Sequence, residues 1–86
     1  MQMIMLDGSR MTDPKEAHRY LARALHLPDY YGCNLDALYD CLTSFGDCPI
    51  ILMEHVEAIG VYGDSLLTVF QDAAKTGSIR FAVLPE

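Results

Sequence analysis

Between Ala24 and Ala74 the chain contains no lysine and no arginine. Phosphate contacts need cationic side chains, so this absence and the formal net charge of -6 argue against binding to nucleic acid or to an anionic membrane surface. Uncompensated like charge destabilises a compact fold through self-repulsion, and the stretch therefore favours a basic protein as its partner. It carries eight of the twelve acidic residues, namely Asp29, Asp36, Asp40, Asp47, Glu54, Glu57, Asp64 and Asp72.

The sequence also lacks the features of several other protein classes. No apolar stretch reaches the roughly 18 residues typical of a membrane span, and the apolar run at the N-terminus is too short for a secretion signal. The three cysteines are odd in number and have no close metal-binding spacing, so we expect reduced thiols and a cytoplasmic location, with a disulfide or zinc site as the minor alternative. There is no glycine-rich phosphate loop and no nucleophile motif. We therefore expect no cofactor.

The length and the apolar pattern predict one small α/β domain over residues 1–86. Apolar runs at 3–6, 49–53 and 79–84 predict three strands, and the middle run is continuous, as expected for a strand covered on both faces. Helical spacing predicts one helix after Asp13, a second after Asn34 and a third that starts at Asp64 or Ser65. Because helices connect the strands, we expect a three-stranded parallel sheet packed by three to four helices.

The second predicted helix has two different faces. Leu35, Leu38, Cys41, Leu42 and Phe45 form its apolar stripe, with Cys41 expected to be buried, and the opposite side carries Asp36, Tyr39, Asp40 and Thr43. Two carboxylates four residues apart repel each other by roughly 0.2–0.5 kcal/mol. Aromatic rings beside carboxylates form a plausible docking surface for Arg and Lys, because the acids pair with cations and the rings supply rigid contact area.

Simpler interpretations stay open for these residues. An acidic helix face is usually just solvated. Asp72 lies three residues before Lys75 and can form an ordinary helical ion pair with it. Tyr31 is expected to be more buried than Tyr30, and the three histidines (His18, His26 and His55) are expected on the surface.

The run Leu27-Pro-Asp-Tyr-Tyr-Gly-Cys-Asn-Leu-Asp-Ala-Leu-Tyr-Asp-Cys-Leu-Thr43 closely resembles the barstar family of intracellular ribonuclease inhibitors. The matched pattern is long and unusual, so the resemblance is specific. Weaker similarity covers the first strand, the last helix and the apolar strand at the C-terminus. The resemblance implies a barstar-like fold, a single-layer sheet with helices.

The resemblance also implies how this chain binds. The helix that begins at Asn34, with the loop before it, would enter the active site of a small basic ribonuclease. Asp40 matches the carboxylate that stands in for an RNA phosphate, and Asp36 matches an acid that pairs with an arginine at the rim of that site. Tyr30 matches a ring that packs on the catalytic histidine, and Tyr39 takes the place of a contacting tryptophan.

Further contacts are implied at the edge of the interface. Asp72 falls where the family has a glutamate, and Ser44, Phe45 and Asp47 stand where members use Gly, Trp and Glu, just after Thr43 at the end of the matched run. Asp47 and Asp72 are each one methylene shorter than the glutamate of the family, and Ser44 adds a side chain where the family has none.

We expect this chain to be a proteinaceous inhibitor that is not itself an enzyme. It would be monomeric when free, bind one ribonuclease per chain, and protect its producer as an antitoxin-like immunity protein does. One alternative is a barstar-like interaction module that binds another basic protein without inhibiting a nuclease. A less favoured alternative is hydrolysis by the carboxylate pair, which would need a desolvated pocket that no sequence feature indicates.

Overall fold

The computed structural model of the chain describes residues 2–85. Its order of elements is strand, helix, helix, strand, helix, strand, with a short 3-10 turn after each of the first two strands. The strands are β1 (Met3–Asp7), β2 (Ile50–Glu54) and β3 (Arg80–Val83), the helices are α1 (Pro14–Ala24), α2 (Leu35–Leu42) and α3 (Tyr62–Lys75), and the turns are Gly8–Arg10 and Val56–Ile59.

The three strands form a parallel sheet in the order β1-β2-β3. Because parallel crossovers are right-handed and the strands follow one another in chain order, both crossovers pass over the same face of the sheet. The molecule is correspondingly flat, with extents of 30 × 29 × 19 Å. These observations confirm the predicted parallel α/β architecture.

The core lies between the helices and this one face of the sheet. Every second strand side chain faces it, and Ile51 and Met53 at the centre of the sheet are fully buried. The ring of Phe70 from α3 stacks on that of Phe81 from β3 with centroids 4.9 Å apart. The helices contribute the remaining fully buried side chains, including Leu21, Leu38, Leu42 and Leu66.

The prediction that β2 is covered on both faces is wrong. Its burial alternates, with Ile51 and Met53 buried while Ile50 and Leu52 are only partly covered. On β1 the outward residues Met3 and Met5 are 65% and 47% exposed. Both crossover connections pass over the other face of the sheet, so no helix within residues 2–85 covers this second face.

The capping residues in the sequence predicted the starts of the first two helices correctly, but not the start of the third. Asp13 and Asn34 cap α1 and α2 as predicted, through hydrogen bonds from the backbone N–H groups of Glu16 and Ala37. By contrast α3 begins at Tyr62, before the predicted start at Asp64 or Ser65, and its N-cap residue Val61 makes no side-chain capping bond. The N–H of Gly63 instead bonds to the carbonyl of Gly60 in the preceding turn, at 2.9 Å.

Two sequence-based exclusions can be compared with the structure. All three cysteines are free thiols. Among the described residues, no helix has the length and apolar character needed to cross a membrane.

Candidate functional site: the acidic face of helix α2

The loop that leads into α2 is held at both ends by residues with left-handed backbone. His26 (φ 54°) ends α1, where the N–H of Leu27 bonds to the carbonyl of Ala22 at 2.9 Å, and Cys33 (φ 53°) precedes the cap Asn34. Residues other than glycine adopt this conformation at a cost, and such residues concentrate at functional loops. The loop 27–34 therefore has a defined path into the helix.

A buried hydrogen-bond network fixes the middle of this loop. The imidazole of His18 on α1, only 2% exposed, lies between two tyrosine hydroxyls. Its Nδ1 is 2.5 Å from the Tyr31 oxygen in the loop, and its Nε2 is 2.6 Å from the Tyr62 oxygen at the start of α3. One histidine thus ties the loop to two helices.

Burial determines the charge state of this network. It lowers the pKa of His18 below the ordinary 6.5 and raises the pKa values of Tyr31 and Tyr62 above the ordinary 10.0. The ring is therefore neutral at pH 7, and a neutral imidazole donates from one nitrogen and accepts at the other. Both tyrosine hydroxyls can then be satisfied without a buried charge.

The prediction of a surface position is wrong for His18, although His26 and His55 are exposed. Helical periodicity could have indicated its position, because Leu21 and Leu25 lie three and seven residues further along and both are buried. The expectation that Tyr31 is more buried than Tyr30 is confirmed, with exposures of 9% and 87%.

The two carboxylates of α2 project into solvent without partners. Asp36 lies in the first turn and Asp40 in the last, and both are exposed. Within residues 2–85, neither side chain accepts a hydrogen bond or pairs with a cation. The helix dipole favours an acid in the first turn and disfavours one in the last. Asp40 is thus a charge that the free fold does not compensate.

Four predicted site residues come together around a groove of about 300 Å³ between the loop and α2. Tyr30, Asp40, Ser44 and Phe45 line it, together with His26, Leu27, Pro28 and Cys41. Tyr30 and Asp40 are exposed at this groove, so a bound protein would contact an aromatic ring and a carboxylate together.

Cys41 also lines this groove. Burial, followed by the charge of Asp40, raises the pKa of the Cys41 thiol, which therefore stays protonated. Cys41 is half-buried rather than fully buried as predicted.

Ser44 and two further predicted residues, Asn34 and Thr43, help to build the helix ends. The side chain of Asn34 caps α2 and also donates to the carbonyl of Gly32 at 3.2 Å. At the other end, the hydroxyls of Thr43 and Ser44 donate to carbonyls of the last turn, to Tyr39 at 2.9 Å and to Asp40 at 2.6 Å respectively. The Tyr39 carbonyl also accepts the backbone N–H of Thr43 at 3.0 Å, so the two hydroxyls add hydrogen bonds at the end of the helix.

The remaining predicted residues lie outside the groove. Tyr39 is 36% exposed on the outer side of α2, and Asp47 is exposed in the segment between α2 and β2. Asp72 lies on α3, where its carboxylate is 3.6 Å from the amine of Lys75. This is the helical ion pair that the spacing indicated, and its exposed position makes it weak.

One group of side chains has the spacing of metal ligands, but hydrogen bonds within the protein explain its geometry. Asp7, Glu54 and His55 place ligand atoms within 4.8 Å of one another at the carboxyl ends of β1 and β2. The Asp7 carboxylate accepts from the N–H and hydroxyl of Ser9 at 2.9 and 2.7 Å and from Nδ1 of His55 at 2.9 Å. The bonds from Ser9 and then His55 lower the pKa of Asp7 to about 2. The same bonds explain the position of the Asp7 carboxylate.

Comparisons with known proteins bear on this site. The family model described as Barstar (barnase inhibitor) matches residues 1–84. The chain belongs to the barstar family. A Bacillus subtilis (strain 168) protein named "Putative ribonuclease inhibitor YrdF" is 37% identical over 91 aligned positions that cover all of both chains. The family membership agrees with the resemblance seen in residues 27–43.

Proposed function

We propose that this chain is a cytoplasmic inhibitor of a small basic ribonuclease and forms a one-to-one complex with it. The observation that carries the proposal is the unpaired Asp40 carboxylate beside the exposed ring of Tyr30, on a member of a family described as barnase inhibitors. A ribonuclease active site binds phosphate and therefore presents cations. An exposed carboxylate with no internal partner suits such a site.

In this proposal each residue has a distinct role. Asp40 occupies the phosphate site of the enzyme in place of an RNA phosphate, and Asp36 pairs with a cation at the rim. Tyr30 packs its ring on the catalytic histidine, while Tyr39 adds aromatic contact on the outer side of the helix. Phe45, Asp47 and Asp72 contribute at the periphery, and Asn34, Thr43 and Ser44 act mainly by holding the helix ends.

The chain inhibits by occlusion and carries out no reaction itself. Asp36 and Asp40 lie on an exposed helix surface, where water screens their charges. A carboxylate pair that hydrolyses a substrate needs environments that separate the two pKa values. The groove beside α2 contains one carboxylate and no second acid.

The direct test is a titration of RNA cleavage by a panel of small basic ribonucleases. Inhibition should be stoichiometric for at least one enzyme and should be lost with Asp40→Ala. Glu57→Gln is the matched control, because it removes one exposed acid from the turn after β2, next to Ser9 and His55. A chain that binds a ribonuclease while cleavage continues would instead be a non-inhibitory interaction module. Cleavage of RNA by the chain alone would indicate an enzyme.

A further inference from the structure

The uncovered side of the sheet is a continuous apolar surface. We call it the bare face and define it by the outward residues of the three strands. Its middle row is Met5, Leu52 and Ala82, and the row towards the amino ends holds Met3 and Ile50 beside Arg80. Parallel sheets are normally covered on both faces, because their strands are apolar on both. An uncovered apolar face is a candidate interaction surface, although its size alone does not distinguish it from the surface of a monomer.

Charge divides the bare face into two ends of opposite sign. Arg80 lies at the amino ends of the strands, and Asp7 and Glu54 lie together at the carboxyl ends. Within the described part of the chain, Arg80 makes no ion pair. The face therefore carries an unpaired cation at one end, acids at the other and apolar side chains between them.

We propose that the partner of the bare face is a second copy of this chain. The two-fold axis lies between the two sheets and runs perpendicular to the strands. The strands of one copy are therefore antiparallel to those of the copy that faces it. The row that contains Arg80 then lies over the partner's Glu54, and symmetry creates the same pair a second time. Facing sheets lie about 10 Å apart, which the arginine and glutamate side chains can span together. The surface is thus complementary to itself in both charge and apolarity.

The size of the face predicts weak association. Three strands of about five residues cover roughly 240 Å² per copy, taking about 4.8 Å between strands and 3.3 Å per residue. Stable interfaces bury about 1,200 Å² or more in total. The dimer should accordingly form only at high protein concentration, and dilute protein should be monomeric. The expectation of a free monomer therefore applies to dilute protein.

The dimer leaves the ribonuclease-binding surface free. Leu38 and Leu42 direct the inner side of α2 towards the core on the covered face of the sheet. The acidic side of α2 therefore points away from the bare face, and each copy can still bind one ribonuclease. The dimer proposal does not depend on the inhibitor proposal.

Two charge reversals test the proposed symmetry. Sedimentation velocity across a range of protein concentrations should show the average mass of the unchanged chain rising from that of one copy towards that of two. Arg80→Glu alone and Glu54→Arg alone should each abolish this rise, because each places like charges together. An equimolar mixture of the two variants should associate again, since the mixed dimer contains one pair with the original sign and one pair with the sign reversed. Lys15→Glu, a reversal on α1, should change nothing.

Some outcomes would overturn the dimer. An unchanged chain that stays monomeric at about 1 mM, or an Arg80→Glu variant that associates as before, contradicts it. So does a mixture that stays monomeric when circular dichroism shows both variants folded. If Glu54→Arg fails to fold, Met5→Glu at the exposed centre of the face should abolish association, and undiminished association would refute the proposal. Because ribonuclease inhibition is measured separately, failure here leaves the proposed function unaffected.

Discussion

At the scale of single residues, three properties of Asp40 make it unfavourable in the free fold. It is exposed, it has no internal partner among the described residues, and it lies in the last turn of α2, where the helix dipole opposes its charge. Proteins retain such residues when function requires them. In the free chain the charge of Asp40 is therefore slightly destabilising, and a cation of a bound partner would compensate it.

The first prediction concerns the order of effects on inhibition. Asp40→Ala should weaken binding most, followed by Asp36→Ala and Tyr30→Ala. Truncating one partner of an interfacial charge pair costs about 2–5 kcal/mol, which corresponds to about 30- to 5,000-fold in affinity. That range rests partly on the barnase–barstar complex of this same family and is carried over from it. Inhibition constants check the order, and an unchanged constant for Asp40→Ala would remove its role as a phosphate mimic.

The second prediction concerns His18. Its folded-state pKa lies below the ordinary 6.5, so the unfolded chain takes up the proton first as the pH falls. The contribution of His18 to stability is therefore fully present above about pH 6.5 and declines below it, until the folded-state pKa is reached. Denaturant unfolding of the parent and of His18→Phe at pH 8 and pH 5.5 measures this contribution.

His18→Phe should be the less stable protein at pH 8, by about 1–3 kcal/mol, because it leaves the hydroxyls of the buried Tyr31 and the half-buried Tyr62 without their partner. The difference between the two proteins should shrink at pH 5.5. His26 and His55 remain in both proteins, so the comparison isolates His18. A difference that is constant with pH would mean that the ring is not held neutral in the fold.

At the scale of elements, α2 is a short helix whose ends are closed by its own side chains. Asn34 caps the start, and the hydroxyls of Thr43 and Ser44 donate to carbonyls at the end. These bonds present Asp36 and Asp40 on a rigid surface. A rigid binding surface loses less conformational freedom when it binds.

The third prediction separates the two acids of α2 by their position on the helix. Asp40→Asn should stabilise the free protein by about 0.3–1 kcal/mol, because it removes a negative charge from the negative end of the dipole. Asp36→Asn should change the free energy of unfolding little, since relief of repulsion offsets the loss of a favourable interaction in the first turn. Thermal unfolding of both variants checks this. A lower melting temperature for both would show that the acids are structural.

Sequence signals predicted those elements whose ends are set by nearby residues. Asp13 and Asn34 reach only three residues along the chain, so their caps could be predicted. The start of α3 was misplaced because Val61 gives no capping signal. The pairing of His18 with Tyr62 joins residues 44 positions apart, and the local pattern does not encode it.

At the scale of the whole molecule, the topology decides which surfaces are available. Strands in chain order place all three helices on one face of the sheet and leave the other uncovered. The apolar pattern of β2 indicated burial without saying which side would be left bare. The acidic surface of α2 was predictable because it depends on one helix alone, whereas the bare face became evident only from the assembled sheet.

The fourth prediction follows from the distribution of charge. Four of the six basic residues lie between Arg10 and Arg23, while the stretch from Ala24 to Ala74 is purely acidic. Association with a basic ribonuclease should therefore be steered by charge and should slow by about tenfold or more between roughly 0.02 M and 0.5 M salt. Stopped-flow mixing measures the rate. A rate independent of salt would place the contact on another surface.

In the proposed complex the acidic side of α2 and the loop before it bind in the active site of a basic ribonuclease. An NMR titration of the isotope-labelled chain with an inhibited ribonuclease tests this contact. We predict that the largest shifts of the backbone amides fall at Tyr30, Asp36, Asp40 and Ser44. Shifts concentrated at Lys15, Arg19 and Arg23 on α1, with α2 unperturbed, would show that α2 is not the binding surface.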